Sequence, residues 1–147
     1  MLLLVATALG FIYTAATEKG MFVHRPAPPP TTSGSLVSPG MISRDQAQRY
    51  FEAGTALFLD ARHEFDYQLG HIRGAINIPL RMYETRKTAL DTIPKDRLLI
   101  AYCDGANCNS SIELSAKLAI DGYTGVKIFF GGWQEWTAAN LPVDKKP

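Results

Sequence analysis

The stretch Leu98-Leu99-Ile100-Ala101-Tyr102-Cys103-Asp104-Gly105-Ala106-Asn107-Cys108-Asn109-Ser110-Ser111 constrains the fold more than any other part of the chain. It opens as an apolar run with the length and composition of a buried strand. A small polar loop, bounded by both cysteines of the chain, follows at once. Ser110 and Ser111 suit a helix N-cap, and Glu113 stands three residues after Ser110, as in a capping box. Ile112, Leu114, Ala116, Leu118 and Ala119 then recur at helical spacing. The unit reads strand, tight loop, helix, with Cys103 at the strand's carboxyl end. Open α/β sheets bind ligands at that end. A helix N-terminus aimed at a thiol lowers its pKa and favours anions beside it. The stretch therefore predicts a nucleophilic Cys103 in an anion-binding loop.

Other parts of the chain suit such a unit. Ser43 is placed to cap a helix whose apolar face carries Ala47, Tyr50 and Phe51 and which stops at Gly54. Thr55 to Asp60 reads as a buried parallel strand. Glu64 to Leu69 reads as a short helix stopped by Gly70, and Ile76 to Ile78 as a strand closed by Pro79. Leu80 to Thr92 is expected to be mostly helical, ending before Pro94. Asp121-Gly122-Tyr123 ends the helix after the central loop; Val126 to Phe130 is a further strand, Gly131-Gly132 a turn and Trp133 to Ala139 a last helical stretch. Strands alternating with helices predict a parallel α/β sheet of about five strands flanked by helices.

Ahead of that domain, which is taken as residues 39–147, stand two segments of different character. Met1 to Ala16 is almost wholly apolar, and the first charge is Glu18. A spanning helix needs about 20 residues, with 17 near the lower limit. Segment 1–17 is accordingly read as an apolar membrane anchor or a signal-like segment, with a helix packed on the domain as the remaining reading. No basic region precedes the apolar run, and Thr14-Ala15-Ala16 is a weak cleavage site, which favours the anchor. Lys19 and Arg25 favour a cytoplasmic flank, but a short uncharged N-terminus crosses or stays. The expectation is a membrane-anchored or exported protein, the periplasmic side slightly favoured. Residues 18–38, with Pro26, Pro28, Pro29, Pro30, Ser33, Gly34 and Ser35, read as a linker.

Charge and cysteine usage exclude several classes. The net charge of +1 leaves no electrostatic footprint for nucleic acid. Two cysteines are too few for a disulfide framework. Their Cys-x4-Cys spacing, with His24, His63 and His71 at no metal-site distance from them, predicts no metal site.

One further stretch carries a family resemblance. Leu59-Asp60-Ala61-Arg62-His63-Glu64, followed by Gly70-His71-Ile72-Arg73-Gly74-Ala75-Ile76-Asn77-Ile78-Pro79, strongly resembles the first signature of rhodanese domains. Tyr102-Cys103 and the segment Val126 to Trp136, with Gly131-Gly132, resemble the family's central and closing strands. The resemblance covers residues 39 to about 143. It implies a rhodanese-like fold and a sulfurtransferase: Cys103 takes a sulfane sulfur, becomes a persulfide and passes the sulfur to a nucleophile. No cofactor or metal is implied. The implied partners are a small sulfur donor (thiosulfate, polysulfide or persulfide) and a thiol acceptor. Backbone N–H groups of the loop Asp104, Gly105, Ala106, Asn107, Cys108 and Asn109 are expected to stabilise the thiolate or persulfide without a charged side chain.

This chain departs from the family at one position. Many rhodaneses carry an Arg five residues after the cysteine and then a Ser or Thr; here Cys108 and Asn109 stand there. Without that Arg, and with a six-residue loop, phosphatase or arsenate chemistry is disfavoured. Thiosulfate becomes a poor donor, and a persulfide or polysulfide a better one. Cys108 is either a resolving thiol for Cys103 or a small half-buried residue. Asp60, Arg62 and Ser110 are expected to support the pocket, Asp60 and Arg62 mainly as a structural ion pair. His71 is expected to be a hydrogen-bonded structural histidine and His63 to face solvent. Asp104 should point outward, because a second negative charge would raise the thiol's pKa. Trp133 and Trp136 are read as packing, with Trp133 also near the mouth. The rival function is a non-catalytic module that binds a partner or senses redox state through Cys103 and Cys108.

Overall fold

A computed structural model of the chain describes residues 40–145. The anchor or signal-like segment 1–17 and the linker 18–38 lie outside the described residues, and so does the membrane or export expectation built on them. Among the described residues no helix is long and apolar enough to cross a membrane.

The strands are β1 (Gly40–Ile42), β2 (Leu57–Asp60), β3 (His71–Ile72), β4 (Ile76–Asn77), β5 (Leu99–Tyr102), β6 (Val126–Phe129) and β7 (Val143–Asp144). The α-helices are α1 (Arg44–Glu52), α2 (Glu64–Leu69), α3 (Tyr83–Arg86), α4 (Ser110–Ile120) and α5 (Gly132–Ala138). Five strands form one sheet in the order β1-β6-β5-β2-β4, and every neighbouring pair is parallel. The two remaining strands, β3 and β7, pair antiparallel as a separate ribbon.

Strand β5 sits at the centre and is buried at all four residues, as a parallel strand covered on both faces must be. Its side chains alternate between two cores. Leu99, Ala101 and Cys103 pack with Leu114 and Leu118 of α4, whereas Ile100 and Tyr102 pack with Trp136 of α5 and Ala47 of α1. The same parity that carries Leu99 and Ala101 under α4 carries Cys103 there too. On the other face Trp136 is fully buried, with Phe51, Phe58 and Phe129 edge-on or tilted around it at 5.2–6.1 Å between ring centroids.

The parallel sheet and its flanking helices match the sequence expectation. Ser43 caps α1 in a full capping box with Gln46. Two local expectations are corrected. Residues 80–92 do not form one helix: a 3₁₀ turn at Leu80–Met82, α3 and a second 3₁₀ turn at Lys87–Leu90 replace it. There the Thr85 and Thr88 hydroxyls bond back to the carbonyls of Met82 and Thr85, competing with a continuous helical ladder. The capping box expected at Ser110 and Glu113 is also absent. Asn109 occupies the N-cap with helical angles (φ −90°, ψ −3°), and its side chain makes no capping bond. Its carbonyl already accepts the Ile112 and Glu113 N–H groups, so the loop winds directly into α4 and Ser110 falls inside the first turn.

Candidate active site

Adjacent strands β2 and β5 end side by side, with Asp60 opposite Tyr102. Asp60 is fully buried and Arg62 nearly so, and they form a tight ion pair. Arg62 donates to Asp60 from its backbone N–H at 2.9 Å, from Nε at 3.1 Å and from Nη2 at 2.7 Å. Nη2 also donates to the Gly70 carbonyl at 2.7 Å. The Tyr102 hydroxyl donates to Asp60 Oδ2 at 2.7 Å and accepts the Ile72 N–H at 3.1 Å. Burial, reinforced by Asp60, pushes the Tyr102 phenol far above its ordinary pKa, so it stays a donor. Burial opposes the Arg62 charge, but the hydrogen bonds and charge of Asp60 hold its pKa above the ordinary value. The Trp133 ring covers the guanidinium at 4.6 Å. This satisfied network braces the floor of the site.

The cysteine loop springs from β5 beside that brace. Its first carbonyls are pinned by the start of α5: Trp133 N–H donates to the Cys103 carbonyl and Gln134 N–H to the Asp104 carbonyl, each at 2.8 Å. Such close approach requires glycine at position 132, where φ is +56° and any Cβ would overlap the Cys103 carbonyl oxygen. Further on, Cys108 N–H donates to the Gly105 carbonyl at 2.9 Å and closes the loop's internal turn. The Cys103 thiol lies 3.0 Å from the Cys108 carbonyl oxygen and 3.5 Å from the Ser111 hydroxyl.

The two thiols are driven in opposite directions. Burial, with Cys108 adding to it, pushes the Cys103 thiol above its ordinary pKa. The Ser111 hydroxyl and N–H at the start of α4 pull the other way without prevailing. This corrects the expectation of a depressed Cys103 pKa: the helix terminus is present, but desolvation outweighs it. For Cys108 burial acts in the same upward sense and loses. Hydrogen bonds from Cys103, from the Ser110 backbone and hydroxyl, and from the Asp104 backbone hold its thiol below the ordinary value.

A cavity of about 500 Å³ opens beside the loop. It is lined by Asp104, Cys108 and Ser110, by Pro79, Leu80, Arg81 and Met82, and by Ala61, Arg62 and His63. Of the residues singled out in the sequence, Arg62, Asp104, Cys108 and Ser110 therefore meet at one cavity. Cys103 is not on its lining; it is 1% exposed and lies beneath the loop. Asp60 acts only through Arg62. Gly105 is buried against Gln134, while Ala106, Asn107 and Asn109 face solvent. The Asp104 side chain is 54% exposed, its Oδ1 3.7 Å from Arg62 Nη1, so it points outward as expected. His71 donates its Nδ1–H to the Tyr67 carbonyl, 2.9 Å away, and stacks on the Tyr67 ring. His63 accepts the Phe65 N–H at Nδ1 and is among the residues lining the cavity. The Pro79–Met82 wall and Gly132 are the parts the sequence reading missed. The turn after Ile78 brings Pro79–Met82 to the same cavity as a loop more than twenty residues away in sequence.

Comparison with known proteins agrees with this geometry. Residues 43–139 match the model of the rhodanese-like domain. An HTH-type transcriptional regulator of Mycobacterium tuberculosis is 39% identical over 104 residues, which is 71% of this chain and 44% of that protein. The chain spans less than half the length of the curated relatives it matches. Among solved structures, the BH2092 protein from Bacillus halodurans is 26% identical with a TM-score of 0.65, over 74% of this chain and 77% of that one. The human single-domain sulfurtransferase TSTD1 shares the fold at 20% identity, with a TM-score of 0.59 over 67% of this chain and 95% of its own.

Proposed function

Since this chain belongs to the rhodanese-like domain family, we propose that it is a sulfurtransferase whose sulfur carrier is Cys103. The observation that carries the reading is the placement of Cys103. It ends the central buried strand, its carbonyl is pinned by α5, and its sulfur faces the Ser111 hydroxyl at the start of an 11-residue helix. That is where an α/β sheet presents ligands and where a helix terminus favours an anion.

The chemistry balances without an outside oxidant or reductant. Cys103 gives up its proton to solvent and attacks as the thiolate. The Cys103 thiolate attacks the sulfane sulfur of the donor; the donor's S–S bond breaks and its thiolate departs with the electron pair. An acceptor thiolate then attacks the outer sulfur of the Cys103 persulfide, and Cys103 leaves as thiolate. A small persulfide or polysulfide is the preferred donor, since Cys108 and Asn109 replace the loop arginine that would favour thiosulfate. Cys108, on the cavity wall, resolves a Cys103 persulfide left without an acceptor: its thiolate attacks the inner sulfur, closes a disulfide and expels hydrosulfide.

Turnover tests this. With a persulfide donor and a low-molecular-weight thiol acceptor, the chain should form the acceptor's persulfide catalytically. Cys103→Ser should abolish it and Cys108→Ser should retain it. No turnover with thiosulfate, polysulfide or persulfide, together with a Cys103–Cys108 pair that cycles between dithiol and disulfide, would instead establish the redox-sensing module.

A further inference from the structure

Two serines stand one turn apart on the buried side of α4, Ser111 and Ser115, and both are fully buried. Ser115 uses its hydroxyl as a serine inside a helix ordinarily does: it donates to the Ser111 carbonyl, four residues earlier, at 2.7 Å. Ser111 makes no such bond among the described residues. There the partner of its hydroxyl is the Cys103 sulfur, 3.5 Å away. A hydroxyl taken from water without a partner is costly, so the sulfur is what satisfies it.

Cys103 has a second polar neighbour, the Cys108 carbonyl oxygen at 3.0 Å. The two neighbours differ in what they offer. A carbonyl only accepts: it holds the S–H of the thiol and has nothing to give once the proton has left. A hydroxyl accepts from a thiol and, by turning about its C–O bond, donates to a thiolate. The Ser111 N–H acts on the sulfur in the same sense. Ser111 is thus the residue that favours negative charge on Cys103 Sγ.

We propose that Ser111 decides which sulfur of the Cys103 persulfide leaves, and so whether the sulfur is transferred or lost as hydrosulfide. The inference rests on the sulfurtransferase reading. An acceptor thiolate that attacks the outer sulfur breaks the S–S bond, and Cys103 Sγ departs with the electron pair. The Ser111 hydroxyl stands at the atom where that charge develops, and its hydrogen bond strengthens as the bond breaks. A Cys108 thiolate that attacks Sγ breaks the same bond, but hydrosulfide takes the pair and Sγ ends neutral in the Cys103–Cys108 disulfide. Ser111 gives that route no help, because Sγ gains no charge. A better leaving thiolate leaves faster, so the hydroxyl favours transfer over release.

Two measurements test this. First, iodoacetamide labelling of Cys103 is followed against pH in the full chain carrying Cys108→Ser, since Cys108 is the titratable group acting on Cys103. Ser111→Ala should move the profile upward by about one pH unit, and Ser115→Ala, which also deletes a buried hydroxyl from α4, should leave it in place. Second, the chain with both cysteines is loaded with inorganic polysulfide, freed of donor and mixed with 2-mercaptoethanol, and the acceptor persulfide and hydrosulfide are quantified. Ser111→Ala should shift their ratio about three- to tenfold toward hydrosulfide, with the Cys103–Cys108 disulfide rising in step; Ser115→Ala should keep the ratio. An unchanged ratio in Ser111→Ala, or an equal shift in Ser115→Ala, would overturn the proposal. Failure of any donor to load Cys103, with Ser111→Ala still moving the labelling profile, would remove the sulfurtransferase reading and leave Ser111 assigned to the thiol. An unmoved profile would overturn that assignment whatever the donors do.

Discussion

Two neighbouring strands of one sheet end in opposite ways. After β2 the chain turns through Asp60 and Arg62, whose charges are buried, paired and closed off by Tyr102, Gly70 and Trp133. After β5 it turns through Cys103 to Asn109, which carries no cation. That loop is held by backbone hydrogen bonds at its base and by one internal turn. The first ending spends its polar groups on each other and gives rigidity. The second leaves the Cys108 thiol on a cavity wall, with Cys103 buried beneath the loop. The contrast separates what holds the site from what reacts in it.

The largest expected effect comes from breaking the brace. Asp60→Ala strands Arg62 as a buried unpaired cation and should cost about 3–5 kcal/mol in urea unfolding. Replacing both partners by apolar residues, Asp60→Leu with Arg62→Met, should recover much of that loss, because the penalty comes from the orphaned charge. Next in size is Gly132→Ala. The left-handed backbone alone costs about 1–3 kcal/mol, and the added Cβ must push the Cys103 carbonyl aside. This variant should lose sulfur uptake along with stability, which would join the two endings through α5. Tyr102→Phe removes one donor from Asp60 Oδ2, which keeps Arg62 Nη2, leaves the Ile72 N–H short of a partner and should cost about 1–3 kcal/mol with little change in uptake.

Changes in the loop itself should be small in stability and visible in pH dependence. Asn109→Ala should fall within about 0.5 kcal/mol, since its side chain caps nothing. As pH rises, the first proton leaves Cys108, whose thiol sits below its ordinary value; Cys103, raised by burial, follows later. Iodoacetamide labelling mapped by peptide mass spectrometry should therefore modify Cys108 first. Because the Cys108 charge also holds Cys103 protonated, Cys108→Ser should move the Cys103 labelling profile to lower pH. Labelling of Cys103 ahead of Cys108 would erase the distinction between the buried and the cavity-facing thiol.

Legibility in the sequence followed how local each cause is. The sheet could be read because Leu57–Asp60, Leu99–Tyr102 and Val126–Phe129 are apolar runs between turn signals, and parallel strands buried on both faces require that composition. Strand β1 and the ribbon of β3 with β7 could not, since runs of two or three residues carry no period. The Asp60–Arg62 pair was legible as structure from its place at a strand end. The direction of the Cys103 pKa was not: a helix start can be counted along a chain, whereas the depth of desolvation depends on α4 and the loop closing over the sulfur. The cavity was invisible for a related reason: Pro79–Met82 and Cys108 line it together, a relation between segments that neither segment encodes alone.

The central claim is that the ending of β5, and Cys103 within it, carries sulfur. Intact-mass measurement of the full chain after exposure to a persulfide donor tests it most directly. The account predicts a gain of one sulfur atom, mapped to the Cys103 peptide, preserved in Cys108→Ser and lost in Cys103→Ser. A chain that gains no sulfur from persulfide, polysulfide or thiosulfate, or that gains it on Cys108 in the absence of Cys103, would contradict it.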